Sequence, residues 1–358
     1  MSESTFVIAE AGVNHNGSLE RAVELIDIAA AARADAVKFQ TFKAEKLVTA
    51  AAAKADYQVT NMKEGGNQLG MLQALELSLA DHDVLVRHCK QRAIRFMSTA
   101  FDADSLAHLA TLDMPAVKLP SGDITCAPLL LQAARLRVPL IVSTGMCTIA
   151  EIEDALGVLA FGFTQDRTPL GRTDFLAAWC SADGRAALAR HVTLLHCVTQ
   201  YPAPPEAVNL RAMATMAAAF GLPVGYSDHT LGIEVALAAV ALGATVIEKH
   251  FTLDRSLPGP DHAASLEPAE LTQMVASIRN IERALGTSIK APAGAEMANR
   301  AVARRSVVAA HPIRQGDVFS AASFEMKRPG SGISPLDAWG LIGRTAGRDF
   351  ATDELIET

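Results

Sequence analysis

Short apolar runs alternate with longer, more helical stretches along the first 285 residues of the chain. The runs at residues 6–11, 36–39, 95–98, 116–119, 139–142, 192–197, 224–225 and 244–247 have strand length, and polar or glycine-containing turns follow them. Between and after them, residues 19–32, 78–92, 101–110, 129–135, 149–159, 210–220, 231–242 and 268–285 carry helical patterns, the last strongly amphipathic. Pro128 suits the first turn of one helix and Gly243 is placed to stop another. Eight strand and helix alternations predict a (β/α)8 TIM barrel, with the strand ends gathered on one carboxyl-edge face.

Two stretches interrupt that rhythm. Residues 43–69, with Tyr57, Asn61 and Gly65-Gly66, are irregular and polar and are expected to form a long loop over the site. Residues 161–190 read as short helices at 173–179 and 185–189 added to a loop, with no chemistry assigned. Beyond the barrel the character changes. Residues 286–305 resemble a linker, and 306–358 show short strand-like runs separated by Gly, Pro and acidic turns, a small separate module. The expected domains are therefore 1–285, a linker at 286–305, and 306–358.

Charged residues inside the strand pattern carry the first chemical signal. Glu10 lies in or at the end of the first strand, where a carboxylate is costly unless paired, and Lys38 in the second is its obvious partner. Lys118, in the fourth strand, likewise needs an anion near it. Hydroxyls follow at the strand ends, on Thr99, Ser121, Ser143, Thr199, Ser227 and, at the rim, Tyr201, together with the acids Asp123 and Asp261. The turn Ser143-Thr144-Gly145-Met146 can present hydroxyls and backbone N–H groups to an anion. Lysines and convergent hydroxyls suit a small phosphorylated anion, because each oxygen can be satisfied.

Gly225-Tyr226-Ser227-Asp228-His229-Thr230 and Val246-Ile247-Glu248-Lys249-His250-Phe251 each end a short strand on a histidine. One histidine alone would read as a hydrogen-bonded rim residue. Two on neighbouring strand ends, with no adjacent cysteine thiolate, suit a divalent ion such as Mn, Co, Fe or Zn with open positions. Such an ion polarises a carbonyl oxygen as a Lewis acid. The set as a whole points to carbon–carbon bond formation between a phosphorylated nucleophile and an aldehyde.

Composition narrows the class. With 358 residues, half of them hydrophobic, the chain can bury a barrel-sized core. Lys and Arg number 32 against 39 Asp and Glu, a net charge of −7 with no basic stripe, so neither nucleic acid nor a membrane surface is an expected partner. The cysteines 89, 126, 147, 180 and 197 show no Cys-x-x-Cys spacing and read as reduced thiols. The start, Met-Ser-Glu-Ser-Thr, lacks a basic n-region, and no apolar run approaches a membrane span, so a cytoplasmic location is expected.

Six motifs then carry a resemblance: Ile8-Ala9-Glu10-Ala11-Gly12-Val13-Asn14-His15-Asn16-Gly17, Val37-Lys38-Phe39-Gln40-Thr41, Lys118-Leu119-Pro120-Ser121-Gly122, Tyr226-Ser227-Asp228-His229-Thr230, Lys249-His250-Phe251-Thr252 and Pro258-Gly259-Pro260-Asp261. In this order they resemble the bacterial sialic acid synthase family, and Ser306-Val307-Val308 and Lys327-Arg328-Pro329-Gly330 resemble its C-terminal antifreeze-like (SAF, β-clip) domain. The resemblance implies condensation of phosphoenolpyruvate with the open-chain aldehyde of N-acetylmannosamine, an N-acylated mannosamine, to give N-acetylneuraminate and phosphate. It implies a divalent metal, Mn first, with Mg or Co as alternatives. Lys38, Thr99, Lys118, Ser121, Ser143, Thr199 and Ser227 would hold phosphoenolpyruvate, His229 and His250 the metal, and Gln40, Tyr201 and Asp261 the sugar.

In that family the small domain of one subunit caps the barrel of its partner, so a domain-swapped homodimer is implied, with Arg328 reaching the partner's sugar N-acyl group. The C3 methylene would attack the aldehyde, water would add at C2, and phosphate would leave by C–O cleavage, with Glu10 and Asp123 as candidates for directing the water. Asp123 stands where several members carry Glu, and Thr199 where some carry Asn. His15 has no assigned role. The nearest alternative is the same chemistry on 2,4-diacetamido-2,4,6-trideoxymannose, giving N,N'-diacetyllegionaminic acid; a metal-dependent aldolase or isomerase would leave the lysine and hydroxyl cluster without a phosphate to bind.

Overall fold

The computed structural model describes residues 4–62 and 66–357; Gly65, expected in the loop over the site, and the first three residues lie outside the described set. The chain divides into two units, Met1–Gly286 and Thr287–Thr358. The first is a closed barrel of eight strands in sequence order: β1 (Phe6–Gly12), β2 (Ala36–Thr41), β3 (Arg95–Ala100), β4 (Val117–Leu119), β5 (Leu140–Ser143), β6 (Val192–Cys197), β7 (Val224–Asp228) and β8 (Val246–His250). All neighbours pair in parallel, including β1 with β8, which closes the ring and leaves no sheet edge.

Period-two alternation divides each strand between two cores. Outward residues such as Val7, Phe39, Phe96, Leu119 and Val142 join the helical layer in one large apolar cluster. Inward, Ile8, Ala36, Met97, Ala116, Ile141, Leu195 and Val246 form a separate plug inside the bore. The apolar plug leaves the polar side chains of the bore on its carboxyl-edge side.

The segment expected as a long loop after β2 is helical instead, with helices Ala44–Leu47, Asp56–Met62 and Gln68–Leu75. Met71 and Leu75, one turn apart, pack with Val13 and Phe42 into a small core of their own, flanked by Leu47, Met62, Leu72 and Phe101. Helices this short leave too few repeats for a period to be read. One polar tie, Asn61 Nδ2 donating to the Pro260 carbonyl at 2.7 Å, joins this insertion to the loop after β8.

Residues 161–190 also fold more regularly than expected. The helix Ile149–Thr164 continues past residue 159 because Phe161 and Phe163 are buried on it, and helices Arg172–Cys180 and Ala182–His191 follow. The Phe161 and Phe175 rings meet edge to face, 5.7 Å apart.

In the second unit, helix Gly294–Ala303 occupies part of the segment read as a linker. Strands β9 (Ser306–Ala309) and β10 (Phe324–Lys327) pair antiparallel. Val307, Ile313, Phe319, Leu341, Phe350 and Ile356 centre its separate core. Among the described residues no helix is long and apolar enough to cross a membrane.

Candidate active site

Two residues beyond the plug along each strand come Glu10, Lys38, Thr99, Lys118, Ser143, Cys197 and Glu248, with Ser227 beside them on β7. Lys38 Nζ lies 2.5 Å from Glu10 Oε2 and 3.5 Å from Glu248 Oε2, and it donates to Thr99 Oγ1 at 2.8 Å. Glu248 Oε1 lies 3.3 Å from Lys118 Nζ and accepts from the Ser227 hydroxyl at 2.8 Å. Both lysines are at least 97% buried, so the carboxylates are their counterions in a medium that screens little.

The two acids respond oppositely to this setting. Burial pushes the Glu10 carboxyl up to about 7 against the pull of Lys38, with Glu248 adding repulsion. Burial opposes ionisation of Glu248 too, but Lys118, Lys38 and the Ser227 hydroxyl hold it well below the usual carboxylate range. Burial drags Lys118 down despite Glu248, whereas Glu10 and Glu248 outweigh burial at Lys38 and raise it. Glu248 is the member that sequence reasoning missed. Two signals pointed to it: it alternates with His250 on β8, and a second buried lysine needed a second anion.

A second group of side chains rings the end of β5. The Gly145 N–H donates to Ser121 Oγ at 2.9 Å, and that oxygen lies 3.1 Å from Cys197 Sγ. A Cβ on Gly145 would come 2.4 Å from Thr199 Oγ1 and 2.9 Å from Cys197 Sγ, so only glycine allows this approach. Asp123 ends the single turn Ser121–Asp123; burial pushes its carboxyl up to about 6, and its Oδ2 has no hydrogen-bond partner among the described residues.

The two histidines meet across β7 and β8, with ring centroids 5.6 Å apart. His229 Nδ1 donates to the Val198 carbonyl at 2.6 Å, which leaves Nε2 as the lone-pair nitrogen. His250 Nδ1 is buried without a hydrogen-bond partner, 3.8 Å from Asp261 Oδ2. Burial holds His229 down to about 4 and His250 well below its ordinary value, so both are neutral, the state a metal requires. The Tyr201 ring lies tilted by 32° against His229, with centroids 4.1 Å apart, and meets His250 edge-on at 5.6 Å. Burial alone raises Asp261 to about 7. An oriented imidazole beside one with an unpartnered nitrogen fits a divalent ion. Among the described residues no group of three or more His, Cys, Asp or Glu gathers into a metal cage.

The remaining expected residues fall in two places. Gln40 is the half-buried next-to-last residue of β2 and Ser143 ends β5 buried, both at the carboxyl edge. Arg328 belongs to the second unit and is exposed. His15 is fully buried against Phe39, with its Nδ1 accepting from the Gly17 N–H at 3.0 Å.

On the outer face of the same strands, Asp228 and Lys249 form a second buried pair. Lys249 Nζ donates to Asp228 Oδ2 at 2.8 Å and to the Thr230 carbonyl at 2.6 Å, and Asp228 Oδ1 accepts from the Thr230 N–H and hydroxyl.

Comparison with known proteins agrees with this geometry. The NeuB family profile matches residues 25–290 and the SAF domain profile residues 304–358. The chain is 46% identical over 354 residues to N,N'-diacetyllegionaminic acid synthase of Campylobacter jejuni, covering 99% of each chain. It is 44% identical over 342 residues to the Legionella pneumophila protein of the same name, covering 96% of this chain and 90% of that one. Among solved structures, the N-acetylneuraminic acid synthetase of Leptospira borgpetersenii in complex with citrate is 32% identical with a TM-score of 0.67, over 83% of this chain and 90% of that one. The chain belongs to the NeuB family and carries a SAF domain after its barrel.

Proposed function

We propose that this chain is an N,N'-diacetyllegionaminic acid synthase, condensing phosphoenolpyruvate with 2,4-diacetamido-2,4,6-trideoxymannose and releasing phosphate. The resemblance carried by the six motifs alone implies N-acetylmannosamine as the acceptor. The two relatives at 46% and 44% identity, both synthases of the diacetamido product, support the alternative over it. The observation that carries the chemistry is the bore: two buried lysines sharing Glu248, with the Thr99 and Ser227 hydroxyls in the same network, beside two neutral imidazoles.

In this reading Lys38, Lys118, Thr99, Ser121, Ser143, Thr199 and Ser227 bind phosphoenolpyruvate. Its negative charge takes over part of the counterion role that Glu10 and Glu248 fill alone in its absence. His229 and His250 hold a divalent metal, Mn first and Mg or Co as alternatives, which when bound supplies Lewis-acid polarisation of the acceptor aldehyde. Gln40, Tyr201 and Asp261 orient the sugar so that its aldehyde carbon faces C3 of phosphoenolpyruvate. The new carbon–carbon bond leaves C2 electron-poor, water adds there, and the C–O bond to phosphate breaks. Glu10, at about 7, and Asp123, at about 6, can each take a proton from that water near neutral pH. A homodimer in which Arg328 meets the partner's sugar, and a cytoplasmic location, complete the proposal.

Phosphate release from phosphoenolpyruvate tests it, with each of the two sugars, in Mn and in EDTA. Metal-dependent release with preference for the 2,4-diacetamido sugar is expected. Preference for N-acetylmannosamine would return the assignment to sialic acid synthase, and release with neither would refute the reading.

A further inference from the structure

The turn Asn14-His15-Asn16-Gly17 after β1 is as distinctive in sequence as the lysine and histidine motifs, yet it takes no part in the charge network of the bore. Its two asparagines point across the gap to the exit of β8. Asn14 is fully buried, and its Nδ2 donates to the Phe251 carbonyl at 2.8 Å and to Ser265 Oγ at 2.9 Å. Ser265 Oγ in turn donates to the Asp261 carbonyl at 2.7 Å. Asn16 Nδ2 donates to the Pro258 carbonyl at 2.8 Å, and its Oδ1 faces His262 Nε2 at 3.2 Å. His262 is itself fully buried, with Nδ1 2.6 Å from Thr252 Oγ1.

The segment Pro258-Gly259-Pro260-Asp261 is therefore held at its first carbonyl by Asn16 directly and at its last by Ser265, whose hydroxyl Asn14 engages in turn. The fit is close. A Cβ on Gly259 would sit 2.5 Å from His262 Cδ2 and 2.9 Å from Asn16 Oδ1, so a larger residue would push the loop off the clasp. With two prolines flanking the glycine, this short loop has few conformations left once both ends are tied. What the clasp presents is the Asp261 side chain, buried beside His250.

We propose that Asn14 and Asn16 are positioning residues for acceptor binding: they aim the Asp261 carboxyl at a hydroxyl of the acceptor sugar without touching the sugar themselves. This rests on the acceptor role given to Asp261 under the proposed function. A loop displaced by an ångström weakens an oriented contact by about tenfold or more while leaving a separate anion site intact.

The test uses the full-length protein and two readouts. First, amide hydrogen exchange without substrates: Asn16→Ala, and separately Asn14→Ser, should speed exchange across residues 257–266 while the barrel strands stay protected. Second, steady-state kinetics: Asn16→Ala should raise KM for the sugar about tenfold with KM for phosphoenolpyruvate unchanged, and should add no further effect in an Asp261→Asn background. Unchanged exchange at 257–266 in both variants would overturn the clasp. Parallel rises in both KM values, or full additivity with Asp261→Asn, would overturn its link to the acceptor. If the unmodified protein turns over neither sugar, the proposed function fails, and the exchange measurement still decides whether the clasp exists.

Discussion

Glu248, Lys249 and His250 are consecutive on β8, yet the two faces of that strand treat charge in opposite ways. Lys249 points outward to Asp228, both fully buried, and every charged atom of that pair has a partner. Glu248 and His250 point into the bore, where Glu248 Oε2 meets Lys38 only as an ion pair at 3.5 Å and His250 Nδ1 has no hydrogen bond among the described residues. A closed network fixes β7 against β8 and has nothing left to offer a ligand. An open one costs stability and is kept only where something else completes it. Satisfaction, not burial or charge, separates the architectural pair from the candidate site.

The comparison breaks most easily on its closed side. Lys249→Met leaves Asp228 buried and unpaired and should lower unfolding free energy by about 3–5 kcal/mol, read from denaturant midpoints. A shift under about 1 kcal/mol would mean that the pair is not the weld described. Lys118→Met removes a charge from the open side. It leaves Glu248 with Lys38 and Ser227, so the fold should hold while kcat/KM for phosphoenolpyruvate falls roughly 10²–10³-fold.

The same contrast extends to pH through His15. Burial lowers it from 6.5 to about 4, so between those values the unfolded chain binds more protons than the folded one. Its contribution is complete above about pH 6.5 and is lost as pH falls through 4, roughly 3 kcal/mol in all. His15→Gln should flatten that part of the stability curve, as measured by denaturant titration from pH 4 to pH 7. The smallest effect is expected in the second unit, where the half-exposed Arg348 pairs with Glu354 and Glu357 and lies 4.2 Å over the Phe350 ring. Arg348→Ala should lower the stability of that unit by no more than about 1 kcal/mol, read from its unfolding midpoint.

The barrel and most of its bore were legible because long periodic segments and charged residues in apolar strands are hard to explain otherwise. Glu10 with Lys38 followed from the cost of burial alone, and the histidine pair from two matching strand ends. What stayed hidden depended on neighbours distant in sequence. Glu248 needed the barrel register to bring it between Lys38 and Lys118. The helices at 44–75 were too short to show a period, and their core borrows Val13 and Phe101 from elsewhere in the chain. The role of Asn14 and Asn16 lies in carbonyls more than 230 residues away, which no local pattern encodes.

Direct binding of phosphoenolpyruvate is the most decisive measurement, by isothermal titration without sugar, on the unmodified protein, Lys118→Met and Lys249→Met. If the open network is the phosphate site, Lys249→Met binds as the unmodified protein does wherever it is folded, and Lys118→Met binds about a hundredfold more weakly. Equal affinity in Lys118→Met and the unmodified protein would contradict the assignment of the bore as the anion site.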